Sequence, residues 1–154
     1  MEAALYECLR RTDGWWTEDL RVQPVDRPPM EEPVLKEHGA WVFAITQEPA
    51  EGYRAAQPLD LYERGYTRLV LATPLADGRY RYTLARRSDL VPGFPIPRFY
   101  EALNSAEEAA RGAPLVSTWG GASTVGGGPR DGSVLSPEQV AGVIDRVLNP
   151  AREG

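Results

Sequence analysis

Residues 66–87 read YTRLVLATPLADGRYRYTLARR, and this stretch decides the fold. Tyr66–Pro74 and Arg79–Arg87 are two strand-like runs around Ala76-Asp77-Gly78, where the Asp-Gly pair supplies the positive-φ positions a tight hairpin turn demands. In the second run Tyr80, Tyr82 and Leu84 alternate with Arg79, Arg81 and Thr83, so one face is predicted to pack on a core and the other to stay polar. Arg86 and Arg87 then end on opposite faces.

Upstream of the hairpin, Ala40–Thr46 (AWVFAIT) is almost continuously apolar, carries aromatic and β-branched residues and is bounded by Gly39 and Pro49. That pattern predicts a fully buried strand near the centre of the same sheet. Leu59–Arg64 predicts a helical turn. Residues 2–12 read as a short helix with Leu5, Cys8 and Leu9 on one face, Leu20–Val25 as a strand, and the proline- and acid-rich Asp26–Pro33 as a connecting loop. Downstream, Pro92–Pro97 leads into a helix through Phe99, Tyr100 and Leu103, extended by Ala106–Arg111 beyond a break at Asn104-Ser105. Glu107-Glu108 reads as an exposed face of that helix, and Leu115–Trp119 as a short strand. The last helix is the most strongly marked. Ser136 is its N-cap, Pro137 suits its first position, Gln139 completes a Ser-x-x-Gln capping box, and Val140, Val143, Ile144, Val147 and Leu148 form its apolar stripe. The expectation is one α/β domain over residues 1–154, a mixed β-sheet with a central hairpin and flanking helices.

The chain length of 154 residues, with 42% hydrophobic and 25% charged residues, suits one such domain. No apolar run approaches the roughly 18–20 residues that span a bilayer. Glu2 and Glu7 interrupt the N-terminus where a secretory signal would have a basic region and an apolar core, so a cytoplasmic location is expected. Cys8 is the single cysteine, which excludes an internal disulfide and multi-cysteine zinc patterns. A net charge of −5 argues against binding nucleic acid over the whole surface. The charge is unevenly spread, however: residues 1–65 hold most of the acids, whereas Arg79, Arg81, Arg86, Arg87 and Arg98 are interrupted only by Asp89. A basic patch on an acidic body points to a localised anion site.

The chemistry concentrates in Trp119–Ser133, WGGASTVGGGPRDGS. Glycine-rich turns expose backbone amides and admit a ligand closely, which suits phosphate or carboxylate, and here Ser123, Thr124 and Ser133 add hydroxyls and Arg130 a cation. The segment departs from the stock motifs. Gly127 and Gly132 have P-loop spacing but no lysine follows, Gly121–Val125 lacks the second glycine of a nucleophile elbow, and Asp131 stands where a dinucleotide fingerprint needs its last glycine. The sole histidine, His38, has only Glu31, Glu32 and Glu37 near it, a cluster that reads as solvated charged surface, so no metal and no cofactor is expected. Tyr80, Tyr82 and Trp119 read as core.

The succession of the strand RYRYTLARRSDL, a helix from Pro97, the glycine segment and the capped helix SPEQVAGVIDRVL resembles the DHH-associated C-terminal domain of DHH-family phosphoesterases, in particular the exopolyphosphatase-like branch, over residues 66–148. In that family the domain holds the substrate while a separate metal-bearing domain cuts it. Arg87-Ser88 match the family's Arg-Ser pair and Gly126-Gly127-Gly128 its poly-glycine turn, while Pro129-Arg130 replaces the histidine that usually follows. The Asp-His-His signature is absent from the chain, so the resemblance implies a non-catalytic binding module for a phosphate-bearing ligand: a nucleotide, polyphosphate or single-stranded nucleic-acid end. The expected ligand-binding residues are Arg87, Ser88, Gly126, Gly127, Gly128, Arg130 and Ser133, with no catalytic residue, and Arg111 lies outside the set. Two alternatives remain at this level: an interaction module docking a separately encoded catalytic subunit, and a phosphoesterase using carboxylates that no motif reveals.

Overall fold

The computed structural model describes residues 28–150, which form β1 (Val34–His38), β2 (Trp41–Ile45), α1 (Pro58–Glu63), β3 (Arg68–Pro74), β4 (Tyr80–Arg86), α2 (Ile96–Arg111), β5 (Gly120–Gly121), β6 (Val125–Gly127) and α3 (Pro137–Leu148). The helix predicted over residues 2–12 and the strand at Leu20–Val25 lie outside the described residues. The strands make one mixed sheet in the order β1-β2-β3-β4-β6-β5, in which only β2 and β3 run parallel. The parallel pair is joined through α1. The architecture is α/β, with the β3–β4 hairpin at the middle of the sheet.

The hairpin forms as the alternation predicts. Tyr82 and Leu84 are buried against the helices, Arg81 is exposed, and Ala85 is buried on the opposite face. Its turn differs in detail: Leu75 and Arg79 close a three-residue loop, and only Gly78 takes a positive φ, of 87°. Asp77 contributes by its side chain, accepting from the Arg79 amide at 3.1 Å. A short polar side chain can cap a turn without adopting the left-handed conformation itself. The apolar AWVFAIT stretch becomes β2, with Trp41–Ala44 buried; it is interior but one strand away from the middle, because β1 is the outer strand.

Each face of the sheet has its own core. Trp41, Phe43, Val70, Ala72, Tyr82 and Leu84 pack under α2 and α3, and Val42, Ala44, Leu69, Leu71 and Ala85 pack under α1 through Leu61. Two neighbouring residues of one strand thus serve two cores, which is why β2 reads as a continuous apolar run. α3 carries the predicted capping box, with Ser136 Oγ accepting from the Gln139 amide at 3.2 Å and Gln139 Oε1 accepting from the Ser136 amide at 2.8 Å. Ser136→Ala should cost about 1 kcal/mol, the usual value of such a cap. Urea unfolding would read this as a lower midpoint with an unchanged slope.

Two local expectations are corrected. α2 is continuous through Asn104-Ser105, and Asn104 turns its amide outward to hold the main chain of Trp119, accepting from its amide at 2.7 Å and donating to its carbonyl at 3.2 Å. Leu115–Thr118 is irregular rather than a strand, since side chains of α2 and not a ladder fix the path of the chain there.

Candidate functional site

The glycine-rich segment is itself part of the sheet. β5 and β6 form a small hairpin whose second strand pairs with β4, placing Gly127 opposite Thr83, Gly126 opposite Leu84 and Val125 opposite Ala85. The glycines have steric reasons. A Cβ on Gly126 would lie 1.8 Å from the hydroxyl oxygen of Tyr100, which reaches across from α2 and donates to the Ala122 carbonyl at 2.7 Å. Burial pushes the Tyr100 phenol above its ordinary pKa, so it stays a donor. Gly121 has φ 146° and a Cβ there would lie 2.5 Å from Gly126 Cα. Gly120 opens on empty space.

What holds this hairpin in place is a buried carboxylate. Glu107, on α2, is 0% exposed, contrary to the exposed helix face expected for Glu107-Glu108. Its Oε1 accepts from Trp119 Nε1 at 3.0 Å and Ser133 Oγ at 2.5 Å, and its Oε2 from the Val134 amide at 2.8 Å and Arg111 Nε at 3.0 Å. Burial alone raises the pKa of this group, but the hydrogen bonds from Ser133, Val134, Trp119 and Arg111 outweigh it and hold the carboxyl below its ordinary value. Arg111 is therefore no neutral bystander. It also donates to Asp131 at 3.1 Å and to the Gly132 carbonyl at 2.6 Å.

Beside the hairpin lies a depression of about 850 Å³ lined by Val116, Ser117, Thr118, Gly120, Gly127, Gly128, Arg130 and Asp131. The Arg130 amide donates to Ser117 Oγ at 2.8 Å, closing the rim. Its guanidinium is exposed and makes no hydrogen bond or ion pair among the described residues. Asp131, by contrast, is bonded by Arg111 and by Arg79 at 2.7 Å, and the Arg111 hydrogen bond foremost keeps its carboxyl below the ordinary range. Arg79 is thus committed to Asp131 and Asp77 and Arg111 to Asp131 and Glu107, while Arg130 has no such partner among the described residues.

Of the seven residues singled out from sequence, the fold brings Gly127, Gly128 and Arg130 to this depression. Gly126 lies under Tyr100, and Ser133 is 0% exposed with its hydroxyl spent on Glu107. Arg87 and Ser88 sit beyond the far end of the hairpin, where Arg86 donates to the Ser123 carbonyl at 2.9 Å and Ser123 Oγ to Asp89 at 2.5 Å. Gly128 is bonded to Tyr82, so Arg87, just past the end of β4, lies five residues further along the chain, about 17 Å away at ~3.4 Å per residue. Ser117 and Thr118 were missed because their hydroxyls precede the glycines; the signal was their place directly before Trp119-Gly120.

Among the described residues no three His, Cys, Asp or Glu side chains converge as a metal site, and no helix is long and apolar enough to cross a membrane. Comparison with protein-family models, curated proteins and solved structures returns no match, which leaves the site to be read from its own chemistry.

Proposed function

We propose that this chain is a non-catalytic module that binds a phosphate-bearing ligand, a nucleotide, a polyphosphate or a single-stranded nucleic-acid end, at the depression beside β5 and β6. The observation that carries the reading is Arg130, a cation without a partner among the described residues at the rim of a cleft floored by Gly127 and Gly128. A guanidinium offers five donors in a plane and suits phosphate oxygens, and the Thr118 and Ser117 hydroxyls add neutral contacts. Neutralisation of Asp131 by Arg79 and Arg111 removes the nearest charge that would repel an anion. Gly126 and Ser133 shape this site without touching the ligand, and Arg87 and Ser88 meet only a ligand long enough to span the hairpin.

Arg130→Ala should weaken binding of pyrophosphate by about 1.5–3 kcal/mol, the range for hydrogen bonds to charged groups, and leave the unfolding temperature of the free protein unchanged. Thermal shift is the measurement. A ligand at 100 times its wild-type dissociation constant stabilises the folded state by about 2.7 kcal/mol, and at the same concentration the variant should keep only about 0.3–1.3 kcal/mol of it. Arg87→Ala should not affect pyrophosphate but should weaken a long-chain polyphosphate, additively with Arg130→Ala because the two arginines are far apart. An unchanged pyrophosphate shift in Arg130→Ala would return the glycine segment to a purely structural role.

A further inference from the structure

A second cavity has walls that share no residue with the depression at Arg130. It measures about 910 Å³ and opens between the β1–β2 turn, the start of α2 and the end of α3. His38, expected to belong to a solvated acidic surface, stands at its wall: Nδ1 is 3.2 Å from Asp145 Oδ2, and Asp145 Oδ1 accepts from Trp41 Nε1 at 3.0 Å. The imidazole stacks on Trp41 with ring centres 4.6 Å apart. Carboxylate and indole thus hold the ring by one nitrogen and one face. Nε2 makes no hydrogen bond among the described residues.

Two cations line the same cavity and differ in their commitments. Arg86 is spent, donating to Ser123, Val91 and Asp89. Arg98 is exposed, and its guanidinium has no hydrogen bond or ion pair among the described residues. It sits in the first turn of the 16-residue α2, where Pro95 and Pro97 carry no amide proton and the Arg98 amide donates to the Pro95 carbonyl at 2.9 Å, so the guanidinium is the donor this turn offers. Pro95, Val147 and Leu148 give the cavity an apolar side.

From this arrangement we infer a second ligand site, distinct from the depression at Arg130, that takes a phosphomonoester carried on a compact apolar body. Arg98 receives the phosphate. His38, fixed through Nδ1, shares one proton with a phosphate oxygen through Nε2, on either atom, because a neutral imidazole accepts there and an imidazolium donates. The apolar side receives the organic group, the usual division of labour in a small-molecule cleft of this volume. Asp145 is a positioning residue: it stands in the same wall, and its two oxygens are taken up by Trp41 and His38, so it aims the ring.

Because His38 is the sole histidine, its ring carbon-bound protons are a unique reporter in a proton–carbon NMR spectrum. Titration with phenyl phosphate should move those signals saturably in the wild-type protein and equally in Arg130→Gln, while phenol should leave them in place. In Arg98→Gln, an exposed position whose change leaves the fold intact, the dissociation constant should rise at least tenfold. Signals that stay fixed with phenyl phosphate, or that move equally in wild type and Arg98→Gln, overturn the site. Loss of the response in Arg130→Gln would also overturn it, since the effect would then belong to the glycine hairpin.

Discussion

Glu107→Ala is expected to be the most damaging single change in the chain, lowering stability by about 3–5 kcal/mol, the cost of removing one partner from a buried charged network. The carboxylate satisfies Trp119 Nε1, Ser133 Oγ and the Val134 amide, all buried or half-buried, and it partners Arg111. An alanine leaves those donors without an acceptor and the arginine with Asp131 and the Gly132 carbonyl only. Thermal unfolding should show a fall of roughly 10 °C, since 1 kcal/mol corresponds to about 2–4 °C at this size. Equal midpoints for variant and wild type would mean that the network contributes nothing.

The same group fixes an acid sensitivity. Its pKa is lowered in the folded state, so the stability it contributes is fully present above the unfolded carboxylate value, about 4.3, and is lost as pH falls through the lower folded value. Glu107→Gln should therefore flatten the acid limb of the stability curve. The exposed Asp131, shifted in the same direction, adds to the wild-type limb but remains in the variant.

Gly126→Ala is the second large effect expected, at about 3 kcal/mol, the upper part of the range for overpacking. The new methyl would lie 1.8 Å from Tyr100 Oη and 2.6 Å from its Cζ, so either the ring leaves its position and gives up the Ala122 carbonyl, or β6 moves off β4. The change should cost far less in a Tyr100→Ala background. A double-mutant cycle by urea unfolding measures this coupling, and strict additivity would show that the steric account is mistaken.

The middle of the sheet, the interior β2 strand and the capped α3 were legible because each is specified by neighbours in sequence: a Gly-containing turn between alternating runs, an apolar run with its bounding glycine, a Ser-x-x-Gln box. The glycine segment was recognised as special but not as strand, because its pairing partner lies some forty residues upstream and glycine has no β propensity to announce it. Glu107 was misplaced although a signal existed. The buried positions of α2 are Ile96, Phe99, Leu103 and Glu107, so the carboxylate falls on the apolar stripe, and a charge at such a position demands partners. Those partners, Ser133, Val134 and Trp119, come from a distant segment that periodicity cannot bring near. Likewise, nothing near His38 in sequence announces Asp145, which reaches it across 107 positions.

The two outer strands of the sheet bear on how copies of this chain meet one another. On one side the last strand, β5, is two glycines long, too short to template a ladder with a second molecule. On the other, β1 places Lys36 and Glu37, both exposed, in the middle of its five residues, so a second strand pairing there would crowd charged side chains. Short and charged margins are how β-proteins avoid growing by edge addition. Among its described residues this sheet closes itself to that route on both sides, and concentrated solutions should stay free of fibrillar growth from these margins.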